Sequence, residues 1–161
     1  MTQPFLFGEG WMQVLDGDPA AEAMYMRHYS RKPGRRAKGG LIVGPGYKLL
    51  LVWHDGTALF AWRREMHRRD TQTGVNCAVF RNEGRLLSSD LIRQADEIAD
   101  RRWPGERHFT FVDAEKTASR RSKAAPPGAC FIHAGWRPCG HTALGLHILE
   151  RPAACGATIS P

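Results

Sequence analysis

The sequence predicts a mixed α/β fold of the α+β kind, in which a mostly antiparallel central sheet is flanked by helices. Two apolar segments, residues 47–54 and 58–65, are joined at Asp55-Gly56, which is a strong signal for a β-hairpin. A third apolar segment, residues 75–80, runs through a short polar loop into an amphipathic helix. Antiparallel strands followed by a strand, a helix and further strands indicate a mixed sheet with helices on its faces.

The first helix is predicted over residues 19–29. Pro19 follows Asp18 and suits the first helical turn, and helix-forming residues continue to His28 and Tyr29. The next segment, RKPGRRAKGG at residues 31–40, is rich in glycine and positive charge and breaks the helix.

The second helix has the clearest periodicity in the chain. Its apolar residues share one helical face: Leu91, Ile92, Ala95, Ile98, Ala99 and Trp103. Ser88, Ser89 and Asp90 mark its start. A helix N-terminus presents backbone N–H groups and a partial positive charge, so it suits phosphate or another anion. Taken alone, however, this feature favours a simple capping role for Ser88 or Ser89.

The remaining elements follow this helix. Pro104 and Gly105 stop it, and residues 107–113 are predicted as a fourth strand with Asp113 at its carboxyl end. Residues 114–128 are predicted as a polar, basic loop. Residues 143–150 are predicted as the last strand, after a turn that contains glycine.

Length and composition suit one domain. The chain has 161 residues, of which 42% are hydrophobic, and we expect a single domain over residues 1–152 with a flexible tail over residues 153–161. Its four cysteines form no CxxC pair, so reduced thiols are expected. No apolar run reaches the roughly 20 residues of a membrane span, and the N-terminus does not resemble a signal peptide. We therefore expect no membrane partner and a cytoplasmic location, that of the host cell if a phage encodes the protein.

Positive charge is concentrated in three clusters within a net charge of +7. They are Arg31, Lys32, Arg35, Arg36 and Lys38; Arg63, Arg64, Arg68 and Arg69; and Arg120, Arg121 and Lys123. Such clusters neutralise phosphates, although a solvated basic surface explains any one of them singly. Together they make a nucleic-acid partner as good an explanation as a solvated surface. The candidate DNA-binding residues are Arg31, Lys32, Arg35, Arg36, Lys38, Arg120 and Arg121.

Residues 128–137, GACFIHAGWR, resemble the closing motif of the GNAT superfamily. In that motif an aromatic-containing helix end leads to Ala-Gly-Phe or Ala-Gly-Trp and then to a final hairpin. The resemblance runs from the first helix to residue 150 and implies a GNAT-like fold. Members that bind acetyl-CoA usually carry a short motif at the joint between a strand and the next helix. The motif begins with Gln or Arg, has Gly three positions later, and ends with Gly or Ala two positions after that Gly. Here residues 81–89 read RNEGRLLSS, with one glycine, and Glu83 would repel a pyrophosphate unless it faces away.

Within this superfamily the sequence is most similar to the Mom group, phage enzymes that convert adenine in DNA to its N6-carbamoylmethyl form. The matching residues are His28-Tyr29 at the end of the first helix, Ser88 at the strand-to-helix joint and Asp113 after the next strand. By similarity these positions are tied to activity and are candidate catalytic residues. The resemblance also implies iron dependence, with His28 as a candidate metal ligand, and protection of DNA from restriction.

Modification of the adenine amine requires loss of a proton and presentation of the base outside the stack. Tyr29 would orient the base or relay a proton, Asp113 would accept a hydrogen bond from the amine, and Ser88 would bind a carbonyl or carboxamide group. Structural explanations compete for single residues, since a histidine at a helix end often pairs with the helix dipole and a tyrosine often packs in the core. The candidate substrate-binding residues are Asn82, Ser89 and Ser119.

The expected partners are double-stranded DNA and a small-molecule group donor, with an acyl-CoA-type donor and a homodimer left open. DNA held at the cationic loop after His28-Tyr29 would bring a flipped base near that pair. Trp11, Trp53 and Trp62 would offer a stacking face, although a core role is the favoured explanation for each. Two other functions remain: an acyl-CoA-dependent N-acetyltransferase of a protein or small amine, and a non-catalytic basic DNA-binding protein.

Overall fold

The structure is a computed structural model that describes residues 10–28, 41–118 and 124–154, together with the backbone of residues 5–7. These residues form strands and helices in a mixed α+β arrangement. In chain order the elements are β1 Phe5–Phe7, β2 Trp11–Val14, α1 Pro19–Met26, β3 Tyr47–Trp53, β4 Ala58–Arg64, β5 Val75–Asn82, α2 Ser88–Arg102, β6 His108–Val112, α3 Ala129–His133, β7 Arg137–His141 and β8 His147–Arg151. In the described ranges, no helix has the length and apolar character needed to cross a membrane.

The chain divides into two compact units, residues 1–67 with 77–86 and residues 68–76 with 87–161. In the first unit the strand order is β1-β2-β3-β4-β5. The pairs β1/β2, β2/β3 and β3/β4 are antiparallel. The predicted hairpin is confirmed, and Gly56 adopts a φ of 76° in its turn. The strands β1 and β2 were not predicted from the sequence.

Helix α1 begins as its sequence predicts and ends earlier. The Asp18 side chain caps it by accepting hydrogen bonds from the N–H groups of Ala20 and Ala21 at 3.0 and 3.1 Å. The prediction of a helix to residue 29 was wrong at its end, because α1 stops at Met26. The Arg27 N–H bonds to the Met24 carbonyl, three residues back, which is the tightening typical of a helix C-terminus.

The core of the first unit lies between α1 and the sheet. It contains Ala21, Met24, Val43, Leu50, Val52, Leu59, Ala61 and Val79, all buried. Trp11, Trp53 and Trp62 are 0, 5 and 0% exposed, so their expected core role is confirmed. Their indole rings are therefore not an exposed stacking face.

In the second unit the strand order is β5-β6-β8-β7. The start of β5 pairs in parallel with β6, Val75 with His108 and Asn76 with Phe109. Strand β8 is antiparallel to both β6 and β7. The chain thus passes from β5 through α2 to a parallel neighbour, which is the βαβ connection.

The prediction of one last strand over residues 143–150 was wrong, because this part of the chain forms a hairpin of two strands. Strand β8 begins only at His147, and Arg137–His141 forms a further strand, β7. Residues 142–146 turn instead, because the Thr142 N–H bonds to the Leu146 carbonyl at 2.9 Å and Gly145 adopts a φ of 85°.

Candidate functional site

The predicted site residues fall into three groups. His28 and Asn82 belong to the first unit, whereas Ser88, Ser89 and Asp113 belong to the second. Tyr29 and Ser119 lie outside the described residues. The same holds for all the candidate DNA-binding residues, Arg31, Lys32, Arg35, Arg36, Lys38, Arg120 and Arg121.

His28 connects the end of α1 to strand β5 through a hydrogen bond. Its side chain is buried, and Nε2 lies 3.0 Å from the carbonyl oxygen of Phe80. Because a carbonyl oxygen only accepts, Nε2 carries the hydrogen and donates it. A metal ion would therefore have to bind Nδ1. Across the described ranges, no group of three or more His, Cys, Asp or Glu side chains is arranged to hold a metal ion.

Glu83, in the loop between β5 and α2, is neutralised by Arg27, which follows α1, and by Arg81 of β5. Its carboxylate accepts from Nε and Nη2 of Arg27 at 2.7 and 2.6 Å and from Nε of Arg81 at 2.5 Å. These hydrogen bonds, that of Arg27 first, outweigh partial burial and lower the pKa of Glu83 to about 2. The expected repulsion of a pyrophosphate by Glu83 is thus offset locally by two guanidinium groups.

The same loop is anchored to the β3–β4 hairpin. The Glu83 N–H bonds to the Thr57 carbonyl at 2.7 Å. Thr57 is itself held by Asp55, whose Oδ1 accepts from the Thr57 N–H and hydroxyl at 3.0 and 2.5 Å. The hydroxyl bond is the main cause of the lowered pKa of Asp55. A Cβ on Gly84 would lie 2.7 Å from Thr57 Oγ1, so only glycine fits this approach without a shift.

Asn82, the last residue of β5, forms two hydrogen bonds to the loop that follows it. Its Nδ2 donates to the Leu86 carbonyl at 2.7 Å, and its Oδ1 accepts from the Gly84 N–H at 3.0 Å. Both ends of the amide are therefore used within the loop. In this arrangement Asn82 has a structural role beside its predicted role in substrate binding.

Ser88 is the first residue of α2, and Leu87 occupies the N-cap position. A leucine side chain provides no cap, and α2 has no side-chain cap hydrogen bond. The expectation that Ser88 or Ser89 caps the helix was therefore wrong. Asp90 supplies the negative charge that suits the first turn and pairs with Arg93 at 2.8 Å.

Asp113 directly follows β6 and closes the next turn. Its Oδ1 accepts from the N–H groups of Glu115 and Lys116 at 3.0 and 3.1 Å. These bonds fix the carboxylate at the carboxyl end of the strand. Ser88 and Asp113 thus come after the carboxyl ends of two strands that run parallel, which is where open α/β sheets bind ligands.

A buried polar network in the second unit was not predicted. Asp96, 4% exposed on α2, lies 2.7 Å from Nδ1 of the fully buried His108 and accepts the indole N–H of Trp136 at 2.9 Å. Nε2 of His108 lies 3.4 Å from Asp100, and Arg151 pairs with Asp100 at 2.5 Å. Although burial lowers the pKa of Arg151, its hydrogen bond to Asp100 and the charge of Asp96 raise it overall. Trp136 was the available signal, since a buried indole N–H requires an acceptor.

Comparisons with known proteins give no match: no protein-family model fits the chain, and neither a curated protein nor a solved structure is significantly similar to it.

Proposed function

We propose that this protein is a GNAT-like DNA-modification enzyme, similar to the Mom group, that transfers a carbamoylmethyl or related acyl or alkyl group to the N6 amine of adenine in double-stranded DNA. The modification would protect the DNA from restriction. The observation that carries the proposal is the placement of Ser88 and Asp113 after the carboxyl ends of parallel strands.

The chemistry assigns a separate task to each residue. The adenine N6 attacks the carbon of the transferred group, the new C–N bond forms, and the bond from that carbon to the donor's leaving group breaks. The amine loses one proton as it attacks, and Asp113 is the acceptor that we assign to it. Ser88, at the helix N-terminus, binds the carbonyl or carboxamide oxygen of the transferred group. Tyr29 orients the flipped base.

The end of the chain supports the GNAT-like part of the proposal. Helix α3 leads through Ala134 and Gly135 to Trp136 and the β7–β8 hairpin, in the order that the resemblance implies. Trp136 is 2% exposed and bonds to Asp96. The tryptophan of the Ala-Gly-Trp motif therefore contributes to the core of the second unit.

Iron dependence belongs to the proposal through the resemblance alone. The described residues do not fit an iron centre, because His28 uses Nε2 for Phe80 and no set of three donor side chains is assembled in these ranges. No step of the reaction is therefore derived through iron.

The proposal is tested on plasmid DNA from cells that express the protein. Such DNA should resist restriction enzymes whose sites contain adenine, whereas DNA from cells with the Asp113→Asn variant should be cleaved normally. Asparagine keeps the oxygen that accepts from Glu115 and Lys116, so the turn is retained while the proton acceptor is lost. Equal cleavage of both DNA samples, with both proteins folded and bound to DNA, would reject base modification.

A second function, an acyl-CoA-dependent N-acetyltransferase of a protein or small amine, is favoured by one observation. Arg27 and Arg81 offset the charge of Glu83, which is one of the two departures that disfavour a pyrophosphate at this loop, beside its single glycine. Acetyl-CoA should then raise the melting temperature, and substitution in residues 81–89 should abolish the shift. A non-catalytic DNA-binding protein would instead bind DNA without any modified product.

A further inference from the structure

The pairing of Glu83 with Arg27 and Arg81 has the geometry of a guanidinium–anion site. Arg27 presents the fork of Nε and Nη2 to the two carboxylate oxygens, and Arg81 adds a third donor through Nε. The same fork binds carboxylate and phosphate oxygens equally well in shape. The Arg27 side chain is 51% exposed and that of Glu83 is 25% exposed, so an anion from solvent can reach the pair.

The cluster has an excess of positive charge. Arg27 and Arg81 carry two positive charges against the single carboxylate of Glu83, which leaves +1. Glu83 stays ionised throughout the neutral range, because its pKa is held near 2. Its competition with another anion is therefore not relieved by ordinary changes of pH.

Arg81 is also held in place by a bond that does not involve the Glu83 side chain. Arg81 Nη1 donates to the Arg27 carbonyl at 2.7 Å, and the Glu83 N–H bonds to Thr57 at 2.7 Å. The Arg81 side chain is only 14% exposed. The Arg81 guanidinium and the backbone of Arg27 are thus held without the carboxylate, so one arm of the site is preorganised for an exchange of anions.

We propose that Arg27 and Arg81 form a phosphate-binding site in which Glu83 is the resident anion that an incoming phosphate displaces. The choice of a DNA phosphodiester as that phosphate rests on the proposed function. The pyrophosphate of CoA has the same chemistry and is the other source. Glu83 then sets the affinity of the site, since each binding event must break its pairing with Arg27.

The test compares DNA affinity among matched variants. A fluorescein-labelled duplex is titrated with the full chain carrying Glu83→Gln, with Glu97→Gln as the control for net charge, because Glu97 is an exposed glutamate of α2. Glu83→Gln should tighten the Kd about tenfold at low salt, equivalent to about 1.4 kcal/mol. The same substitution should also steepen the dependence of log Kd on log salt concentration, by about the slope that one phosphate contact gives. Glu97→Gln should change the Kd less than about twofold, and Arg27→Gln should weaken binding.

One further variant and one further measurement guard against trivial results. Glu83→Asp keeps the charge and should not tighten binding, and circular dichroism shows whether each variant is folded. If Glu83→Gln weakens DNA and CoA binding, or acts no differently from Glu97→Gln, the proposal is overturned. If it tightens CoA alone, measured by calorimetry, the phosphate site is supported and DNA is rejected as its source.

The same variants separate this inference from the proposed function. Unmodified nucleosides from cells with the wild-type protein, together with tenfold tighter DNA binding by Glu83→Gln, would reject base modification and leave the phosphate site supported. Modified nucleosides with no effect of Glu83→Gln on DNA or CoA affinity would reject the phosphate site alone.

Discussion

Trp136 donates its indole N–H to Asp96, 40 residues earlier in the chain, and both side chains are almost fully buried. The Asp96 carboxylate also contacts His108, so one acidic group joins α2, β6 and the segment before the final hairpin. A buried carboxylate is stabilising only while its partners satisfy it. This network therefore fixes the packing of the second unit and makes it sensitive to loss of any member.

Replacement of Asp96 by alanine should destabilise the protein by about 3 kcal/mol, because His108 and the Trp136 N–H would lose a buried acceptor. Urea unfolding followed by tryptophan fluorescence and circular dichroism measures this change. Trp136→Phe is the milder comparison and should destabilise the protein by about 1 to 2 kcal/mol. A loss below about 1 kcal/mol for Asp96→Ala would contradict the structural role of the network.

Glu83 should make stability depend on pH in acid. Its pKa in the folded protein, about 2, lies below the ordinary value of 4.5, so its contribution is full above pH 4.5 and is lost as the pH falls towards 2. We expect Glu83 to contribute about 1 kcal/mol to the free energy of unfolding. This is less than the pKa shift alone implies, because half-exposed Arg27 is screened by solvent. Urea unfolding of the wild type and of Glu83→Gln, near pH 6 and near pH 3, measures this contribution. The difference in free energy of unfolding between the two proteins should become smaller in acid. If that difference is the same at both pH values, the ion pair is not its cause.

Ser88→Ala separates catalysis from helix capping. Since Leu87 holds the N-cap position, the substitution should cost less than the roughly 1 kcal/mol that loss of a serine cap causes. Base modification should fall about a hundredfold, as expected when one donor to a developing charge is removed. Melting temperature and nucleoside analysis are measured on the same variant. A stable variant with full modification would remove Ser88 from the site.

Gly84→Ala should disturb the loop that carries Glu83. The new Cβ would lie 2.7 Å from Thr57 Oγ1 and 3.0 Å from Thr57 Cβ, and such overpacking costs about 1 to 3 kcal/mol. A double-mutant cycle with Thr57→Ala checks the cause, because the two changes should not be additive if this contact is responsible. Simple additivity would place the strain elsewhere.

The sequence predicts the elements that have strong local signals. The Asp55-Gly56 hairpin and α2 were found from turn chemistry and helical periodicity. Asp96 was missed because a single acid on an amphipathic helix usually faces solvent, and only the fold brings His108 and Trp136 to it. Strand β7 was missed because its five residues are all exposed and include proline and glycine, which gives no alternating pattern.

The candidate site was predictable in part. The position of Ser88 at the start of a helix and of Asp113 at a strand end follows from local pattern. That Leu87 holds the N-cap position depends on backbone angles, and serines nearby give the opposite signal. The pairing of Glu83 with Arg27 joins residues 56 positions apart, so it could not be found from spacing.

The most direct test of base modification is the mass of the nucleosides in DNA from cells that express the protein, compared with DNA from cells that express Asp113→Asn. We expect a new deoxyadenosine derivative with the wild-type protein, heavier than deoxyadenosine by the transferred group, and none with the variant. Identical nucleosides in both samples, with the wild-type protein folded and bound to DNA, would contradict this expectation.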